Sequence, residues 1–337
     1  MQIGKTVVVG GSGMVGRVLL ETMGRHEIKP LNLVVAGRSS VGETIKTPVG
    51  DTVITGLELD LFRDAELVFM AAGAGVSREW IPQILGANNC SVIIDLSSAF
   101  RYDDNVPLVI PSINKRDMIG KRLIACPNCT TSIALMPLAP IHHAWSIQRV
   151  DLASYQAASG AGKQALDDLD AQTSYWAQNG LPPSSGSTGS TPYPLAGNLL
   201  ARIDVAQAEW DGFTKEEMKT AWESRKILFK DTVPFYATCI RVPVRRCHSE
   251  VLTVQVDASP SVGEVRQLLS ESFGVVVLDD VASHIYPMPL NMEGREEVGC
   301  GRIRVTPNGD ILLWVCGDQL LRGAALTAVE IAEVLYS

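Results

Sequence analysis

One segment of this 337-residue chain carries residue types able to do covalent chemistry: Cys126-Pro127-Asn128-Cys129-Thr130-Thr131. It follows an apolar, strand-like run, Leu123-Ile124-Ala125, and leads into a helix expected over Ser132 to Leu138. A thiol at a helix N-terminus is stabilised as thiolate by the dipole and the free N–H groups of the first turn. The same N–H groups can hold an oxyanion developing on a substrate. Cys129 is therefore a candidate nucleophile, and Cys126 reads as a buried structural cysteine. Two other chemistries compete. C-x-x-C could be a redox pair, but such a pair normally opens the helix after an early strand, and here several strand–helix units come first. It could also be half of a zinc site, but no second C-x-x-C and no histidine pair stands at metal spacing, so no metal is expected.

A nucleophilic cysteine calls for an acid–base partner, usually a histidine elsewhere in the sequence. The five are His26, His142, His143, His248 and His284. His248 lies in the polar stretch Thr238 to Glu250, read as leaving a strand. The other four fall in helices or connections with no charge partner in view. Position favours His248, with a surface histidine as the alternative.

A second constellation opens the chain. Val7-Val8-Val9-Gly10-Gly11-Ser12-Gly13-Met14-Val15-Gly16 reads as strand, G-x-x-G-x-x-G turn and helix. Gly10 and Gly13 permit a tight turn and close approach of a pyrophosphate, and Gly16 lets the helix pack on the strand. Helix N-terminal amides suit phosphate. Gly10, Ser12, Gly13, Met14, Val15 and Gly16 are thus dinucleotide-binding candidates, a purely structural turn being the alternative. An NAD site wants Asp or Glu after the second strand. Here the residues are Ala36-Gly37-Arg38-Ser39-Ser40. Arg38 with the hydroxyls of Ser39 and Ser40 suits the 2′-phosphate of NADP, against the alternative of a solvated loop.

These groups need a scaffold. Short apolar runs at Thr6–Val9, Leu31–Ala36, Leu67–Ala72 and Val92–Leu96 alternate with helical spacing, as in Val15, Val18, Leu19, Leu20 and Met23. That pattern predicts a parallel sheet covered on both faces. After about residue 150 the strands alternate in polarity, as in Leu252–Val256 and Ile303–Val305, which suits an antiparallel sheet with one wet face. Pro182 to Pro194, rich in Pro, Ser, Gly and Thr, reads as a loop. Gly323 to Leu335 has helical apolar spacing.

Composition bounds the partners. With 46% hydrophobic and 20% charged residues the chain has material for packed cores. Its net charge of −8 argues against nucleic acid and anionic membranes. No stretch reaches the ~18 apolar residues of a membrane span, and no signal peptide is visible. Seven cysteines, an odd number, suit reduced thiols in the cytoplasm.

Together these residues resemble the bacterial aspartate-β-semialdehyde dehydrogenase family along nearly the whole chain. The likeness rests on the glycine turn, Ser97-Ser98-Ala99-Phe100-Arg101, Pro127-Asn128-Cys129-Thr130-Thr131 and Tyr155-Gln156-Ala157-Ala158-Ser159-Gly160-Ala161-Gly162. It continues through Lys215-Glu216-Glu217-Met218-Lys219, Arg241-Val242-Pro243-Val244, His248-Ser249-Glu250 and Arg322-Gly323-Ala324-Ala325. Three positions depart from the family pattern. Arg38 stands one place early, Asp318-Gln319 replaces Asp-Asn, and Cys247 replaces a glycine, which restricts positive φ.

The resemblance implies NADPH-dependent reduction of L-aspartyl-4-phosphate to L-aspartate-4-semialdehyde with release of inorganic phosphate, a step toward lysine, methionine and threonine. It makes Cys129 the nucleophile, His248 the acid–base group and Gln156 the residue that orients the thioester. It assigns the substrate carboxylate to Arg241, its phosphate to Arg101 and Lys219 with Asn128, and its ammonium to Glu216. It assigns cofactor contacts to Ser159, Gly160 and Gln319. It implies a homodimer built through the second domain. The expected architecture is a Rossmann-like parallel-sheet domain over 1–131, rejoined by a C-terminal helix in 316–337. An α+β catalytic and dimerisation domain with a mostly antiparallel sheet spans 132–315. The alternatives are an N-acetyl-glutamyl-phosphate reductase, a malonyl-CoA reductase, or a non-catalytic paralogue. The last is disfavoured because Cys129 and His248 are both present.

Overall fold

Short β-branched runs build the first sheet, as their burial on both faces requires. The computed structural model describes residues 3–180, 189–230 and 233–337. Its first strands are β1 (Lys5–Val9), β2 (Asn32–Ala36), β3 (Thr44–Thr47), β4 (Gly50–Val53), β5 (Leu67–Met70), β6 (Val92–Asp95) and β7 (Leu123–Ala125). β3 and β4 pair as a separate hairpin, and the other five form one parallel sheet in the order β2-β1-β5-β6-β7. Helices α1 (Met14–Arg25), α2 (Ala74–Ala87) and α3 (Pro111–Asn114) are interleaved with them. The core here is Val7, Val9, Val68, Met70 and Ile93, packed with Phe62, Ile81 and Ile84.

The chain divides into two compact units, Met1–Asn128 with Gly323–Ser337, and Cys129–Arg322. The second unit holds α4 (Cys129–Trp145), β8 (Ile147–Gln156), α5 (Lys163–Asn179), α6 (Lys215–Ser224), β9 (Phe235–Arg241), β10 (His248–Val256), α7 (Val262–Ser270), β11 (Val275–Val277), α8 (Pro289–Met292), β12 (Val298–Val305) and β13 (Ile311–Gly317). Its sheet runs β11-β12-β13-β10-β8-β9. The sheet is mixed: β12–β13, β13–β10 and β10–β8 are antiparallel, while β11–β12 and β8–β9 are parallel. The helix expected over Ser132–Leu138 is longer at both ends. It starts at Cys129 and runs through Pro137 and Pro140 to Trp145. Each interior proline removes a backbone bond, but Thr130 to Ala139 are all buried, and packing overrides local propensity. The loop expected over 182–194 falls outside the described residues up to 188, and 189–194 carry neither helix nor strand.

The last helix, α9 (Leu326–Tyr336), belongs to the first unit, where it packs on α1 and α3. It corrects one expectation: His26 has a charge partner, with Nδ1 3.0 Å from Glu333 Oε1. The two residues lie at opposite ends of the chain, so sequence proximity could not reveal the pair.

In the second unit's sheet, register aligns a row of side chains on one face: Cys300, Val315, Glu250, Ser154 and Cys239. All five are fully buried. Neither carboxyl oxygen of Glu250 has a hydrogen-bond partner among the described residues. Burial pushes the Glu250 pKa well above its ordinary value, with Cys316 adding to the rise, which favours the neutral acid over the carboxylate. The unfolded chain ionises near the ordinary value of 4.5, whereas the folded chain holds the proton to higher pH. The stability this group lends is complete below that pH and is lost as pH rises toward the folded pKa. Glu250→Gln, which cannot ionise, should therefore gain on the parent protein as pH rises from about 5 to about 8. Thermal melts across that range test it, and a melting-temperature difference independent of pH would contradict it.

Candidate active site

Three adjacent strands of the second unit each deliver one polar residue at the same end of the sheet. Gln156 closes β8, Arg241 closes β9 and His248 opens β10. Gln156 and Arg241 are register partners, and His248 pairs with Gly317 of β13. Gly317 leaves room for α4, since a Cβ there would lie 3.0 Å from Ile133. α4 begins at Cys129, so the nucleophile candidate stands at a helix start, half-buried. His248 was expected in a polar segment leaving a strand. It instead opens one and is fully buried, because β10 runs down the middle of the sheet.

The backbone of Ala157 holds two of these side chains. Its N–H donates to His248 Nδ1 at 3.1 Å, and its carbonyl accepts from Arg241 Nη1 at 2.7 Å. Both side chains crowd Gly160, where a Cβ would lie 2.8 Å from His248 Cε1 and 2.9 Å from Arg241 Nη1. Close approach therefore requires glycine at this position. Burial, then the Arg241 charge, pulls the His248 pKa well below the ordinary imidazole value. Burial also lowers Arg241, although the charges of Cys129 and Glu216 oppose the effect.

Gln156 is held from below. Its Nε2 reaches Thr130 Oγ1 at 2.9 Å, Ser154 Oγ at 3.2 Å and Glu216 Oε1 at 3.3 Å. Glu216 lies in the first turn of α6, which a capping box between Thr214 and Glu217 fixes. Lys219 sits one turn on and bonds Glu216 Oε2 at 3.2 Å and Asp204 Oδ2 at 2.6 Å. Burial alone would lower Lys219, but the carboxylates of Glu216 and Asp204 outweigh it and raise its pKa. A cavity of about 340 Å³ opens beside Arg241, lined also by Ala161, Leu200, Arg202 and Asp204. Two larger cavities, about 580 and 520 Å³, lie along the opposite sheet face, around Trp314 and Tyr236, away from this chemistry.

Gln319 has its amide engaged within the second unit. Oε1 accepts from the Cys247 amide at 2.7 Å and Nε2 donates to Ser159 Oγ at 2.6 Å. Ser159 and Gln319, each given a cofactor contact by resemblance, are thus in contact with one another. Cys247 takes φ 72, the left-handed region that its missing glycine would favour.

In the first unit, Gly10 takes φ +85, and a Cβ there would strike the Ala71 backbone at 2.8 Å. A Cβ on Gly16 would strike Gly10 O at 2.2 Å. No side chain caps α1 at Gly13, so Ser12, Met14 and Val15 line a bare helix start of the kind that accepts phosphate. This geometry fits a dinucleotide pyrophosphate. Arg38 forms an exposed pair with Glu79 beside Ser39 and Ser40, and Ser40 has φ 62. Arg101 is buried, with Nε donating to Cys126 O at 2.8 Å and Nη2 to Leu96 O at 3.2 Å. Asn128, also buried, precedes Cys129 in the chain. Burial raises the Cys126 pKa strongly, so Cys126 is an inert thiol.

Sequence reasoning missed several groups. Asp204 sits in a loop far from its partner Lys219, with no spacing signal to link them. Thr130 and Ser154 act through Gln156. Ala157 contributes only its backbone, which side-chain patterns cannot show. Glu250 could have been found, because two-residue alternation places it on the face of His248. Among the described residues no cluster of metal-ligating side chains occurs.

Comparison with known proteins places this arrangement. Residues 5–121 match the model described as semialdehyde dehydrogenase, NAD binding domain, and residues 138–322 match semialdehyde dehydrogenase, dimerisation domain. An aspartate-semialdehyde dehydrogenase of Aquifex aeolicus is 37% identical over 98% of this chain and 97% of its own length. One from Prochlorococcus marinus is 38% identical over 98% of this chain and 95% of its own. The crystal structure of aspartate semialdehyde dehydrogenase II from Vibrio cholerae superposes with a TM-score of 0.92 at 32% identity, covering 99% of this chain and 98% of that one. A second structure of that enzyme, complexed with ASA, is 31% identical with the same score and coverage. The chain belongs to the aspartate-semialdehyde dehydrogenase family, and is an oxidoreductase of that kind.

Proposed function

We propose that this enzyme reduces L-aspartyl-4-phosphate to L-aspartate-4-semialdehyde with NADPH, releasing inorganic phosphate, and that it works in the cytoplasm as a homodimer. The observation that carries the reading is the convergence of Cys129, Gln156, Arg241 and His248 at one sheet end, with Glu216 and Lys219 joined to it through Gln156. Cys129 attacks the acyl carbon and becomes the thioester. Gln156, held by Thr130 and Ser154, orients that thioester. Arg241 clamps the α-carboxylate, for which a planar fork is suited, and Glu216 faces the ammonium. Lys219, Arg101 and Asn128 take the phosphate. Bound at Gly10, Ser12, Gly13, Met14, Val15 and Gly16, with Arg38, Ser39 and Ser40 toward the 2′-phosphate and Ser159, Gly160 and Gln319 toward the nicotinamide side, NADPH supplies the hydride that reduces the thioester. We assign the nucleotide to 1–131 and the substrate grip and dimer contact to 132–315.

The buried Glu216 and Arg241 charges and the half-buried Lys219 favour a substrate with a free ammonium and carboxylate over an N-acetylated or CoA-linked one. The deciding assay offers aspartate semialdehyde, phosphate and NADP, and compares aspartyl phosphate with N-acetylglutamyl phosphate in the reverse direction. No phosphate-dependent NADPH formation would refute the reading.

Cys129→Ala should lower turnover at least about a thousandfold, with NADPH binding retained by fluorescence titration. Arg241→Lys should raise KM for the semialdehyde about tenfold or more, because a point ammonium replaces the fork; an unchanged KM would remove Arg241 from the clamp. Gly160→Ala places a methyl against His248 and Arg241 and should cut kcat/KM by about a hundredfold.

A further inference from the structure

We infer that Asp204 is a specificity-determining residue of this enzyme: it shares Lys219 with Glu216, and the one negative charge left over by the three groups selects substrates that carry a free ammonium. The inference deepens the reading above and rests on it, since it takes an amino-acid head group to bind beside Arg241.

The loop that carries Asp204 is fastened to the helix it serves. The Lys215 amide, at the start of α6, donates to Val205 O at 2.8 Å. Ala206 and Thr214 pair as an antiparallel bridge, and the Gln207 amide donates to Phe213 O at 2.8 Å. Asp204 itself has φ 68, left-handed backbone that Asp tolerates better than most side chains. From there its Oδ1 accepts from the Val205 amide at 2.8 Å and its Oδ2 from Lys219 Nζ at 2.6 Å. Backbone bonds on both sides of the loop therefore set where this carboxylate stands.

The charges then decide the sign of the pocket. Glu216 Oε2 accepts from Lys219 at 3.2 Å, and Oε1 accepts from the uncharged Gln156 amide at 3.3 Å. Glu216 and Lys219 stand one turn apart on α6. As a pair by themselves they would sum to zero and offer an ammonium nothing. A second carboxylate on the same lysine changes that sum to one negative charge. The shorter bond is the one to Asp204, so the lysine leans toward the loop and leaves Glu216 the less neutralised of the two. Burial alone would raise the Asp204 pKa, but the Lys219 bond, the Val205 amide and the charges of Lys219 and Lys215 bring it below its ordinary value.

Access and surroundings agree with this role. The Asp204 side chain keeps 29% of its surface accessible, against 13% for Lys219. A carboxylate oxygen has two lone pairs, and each Asp204 oxygen uses one on the bonds above, so an ammonium can bond it without displacing Lys219. Asp204 and Arg241 both line the cavity of about 340 Å³. One cavity thus has a carboxylate and a guanidinium in its walls, matching the two charges an amino acid carries on a single α-carbon. Arg202 lines it too, but it is exposed and its Nε donates to the Asp204 carbonyl at 3.3 Å, where water screens the charge. Toward a phosphate group Asp204 is repulsive, so phosphate binding gains nothing from it.

The test is steady-state kinetics of the whole enzyme with aspartate semialdehyde, phosphate and NADP. Succinate semialdehyde, the same molecule without its ammonium, serves as a competing inhibitor. Asp204→Asn keeps an oxygen for the Val205 amide and tolerates the left-handed backbone, but removes the charge. It should raise KM for aspartate semialdehyde about tenfold, the worth of a charged hydrogen bond. The inhibition constant of the des-amino analogue and KM for phosphate should each rise by less than about twofold. Asp204→Gly, which suits φ 68, should do the same and supplies the reading if the asparagine variant melts below the parent. An unchanged KM for aspartate semialdehyde, an equal rise in the analogue's constant, or a rise confined to KM for phosphate would each overturn the inference. A parent enzyme without phosphate-dependent turnover refutes the proposed function, whereas an active parent whose discrimination survives loss of the Asp204 charge refutes this inference alone.

Discussion

The backbone of Ala157 bonds His248 through its N–H and Arg241 through its carbonyl, and the arrangement of the site depends on it. A backbone group is a firm anchor, because its position does not depend on a rotamer, and Ala157 directly follows the last residue of β8. The register of β8 with β9 and β10 therefore places the two side chains relative to each other. Gly160 closes the arrangement from the other side, leaving both side chains against bare backbone.

Charge in this site is distributed in opposed pairs. Lys219 stands between Glu216 and Asp204, and Glu216 also accepts from Gln156. Arg241 is buried beside Cys129 and Glu216. Isolated buried charges are costly, and pairing is what makes them tolerable. A zwitterionic, phosphorylated substrate would find a partner of each sign here, although the chain as a whole carries −8. Net charge thus governs which macromolecules stay away, while a few buried side chains govern which small anion enters.

Much of this was legible in the residues. The glycine turn, the short apolar strands and the helix opening at Cys129 announce themselves by local periodicity and by glycine chemistry. The length of α4 did not, because Pro137 and Pro140 argue locally for a break that burial overrides. His248 was legible as a candidate but not as a buried one, since a polar flanking sequence conceals a central strand. Asp204 and the His26–Glu333 pair were beyond reach, because contacts across loops or between chain ends leave no spacing in the sequence. Roles played by backbone, as at Ala157, leave no residue type to read.

Cys247, held at φ 72 just before the strand that begins with His248, bears on how the chain can vary over evolutionary time. The left-handed conformation costs a side-chain-bearing residue about 1–2 kcal/mol. Glycine would relieve that strain but restore about 0.4–1 kcal/mol of freedom to the unfolded chain. It would also give up the packing of the thiol against Met292 and Cys316. The opposing terms are of similar size, so the position can exchange glycine and cysteine almost neutrally. Drift here could proceed next to His248 without disturbing the Gln319 contact, which is made by the backbone amide of residue 247 and is indifferent to the side chain.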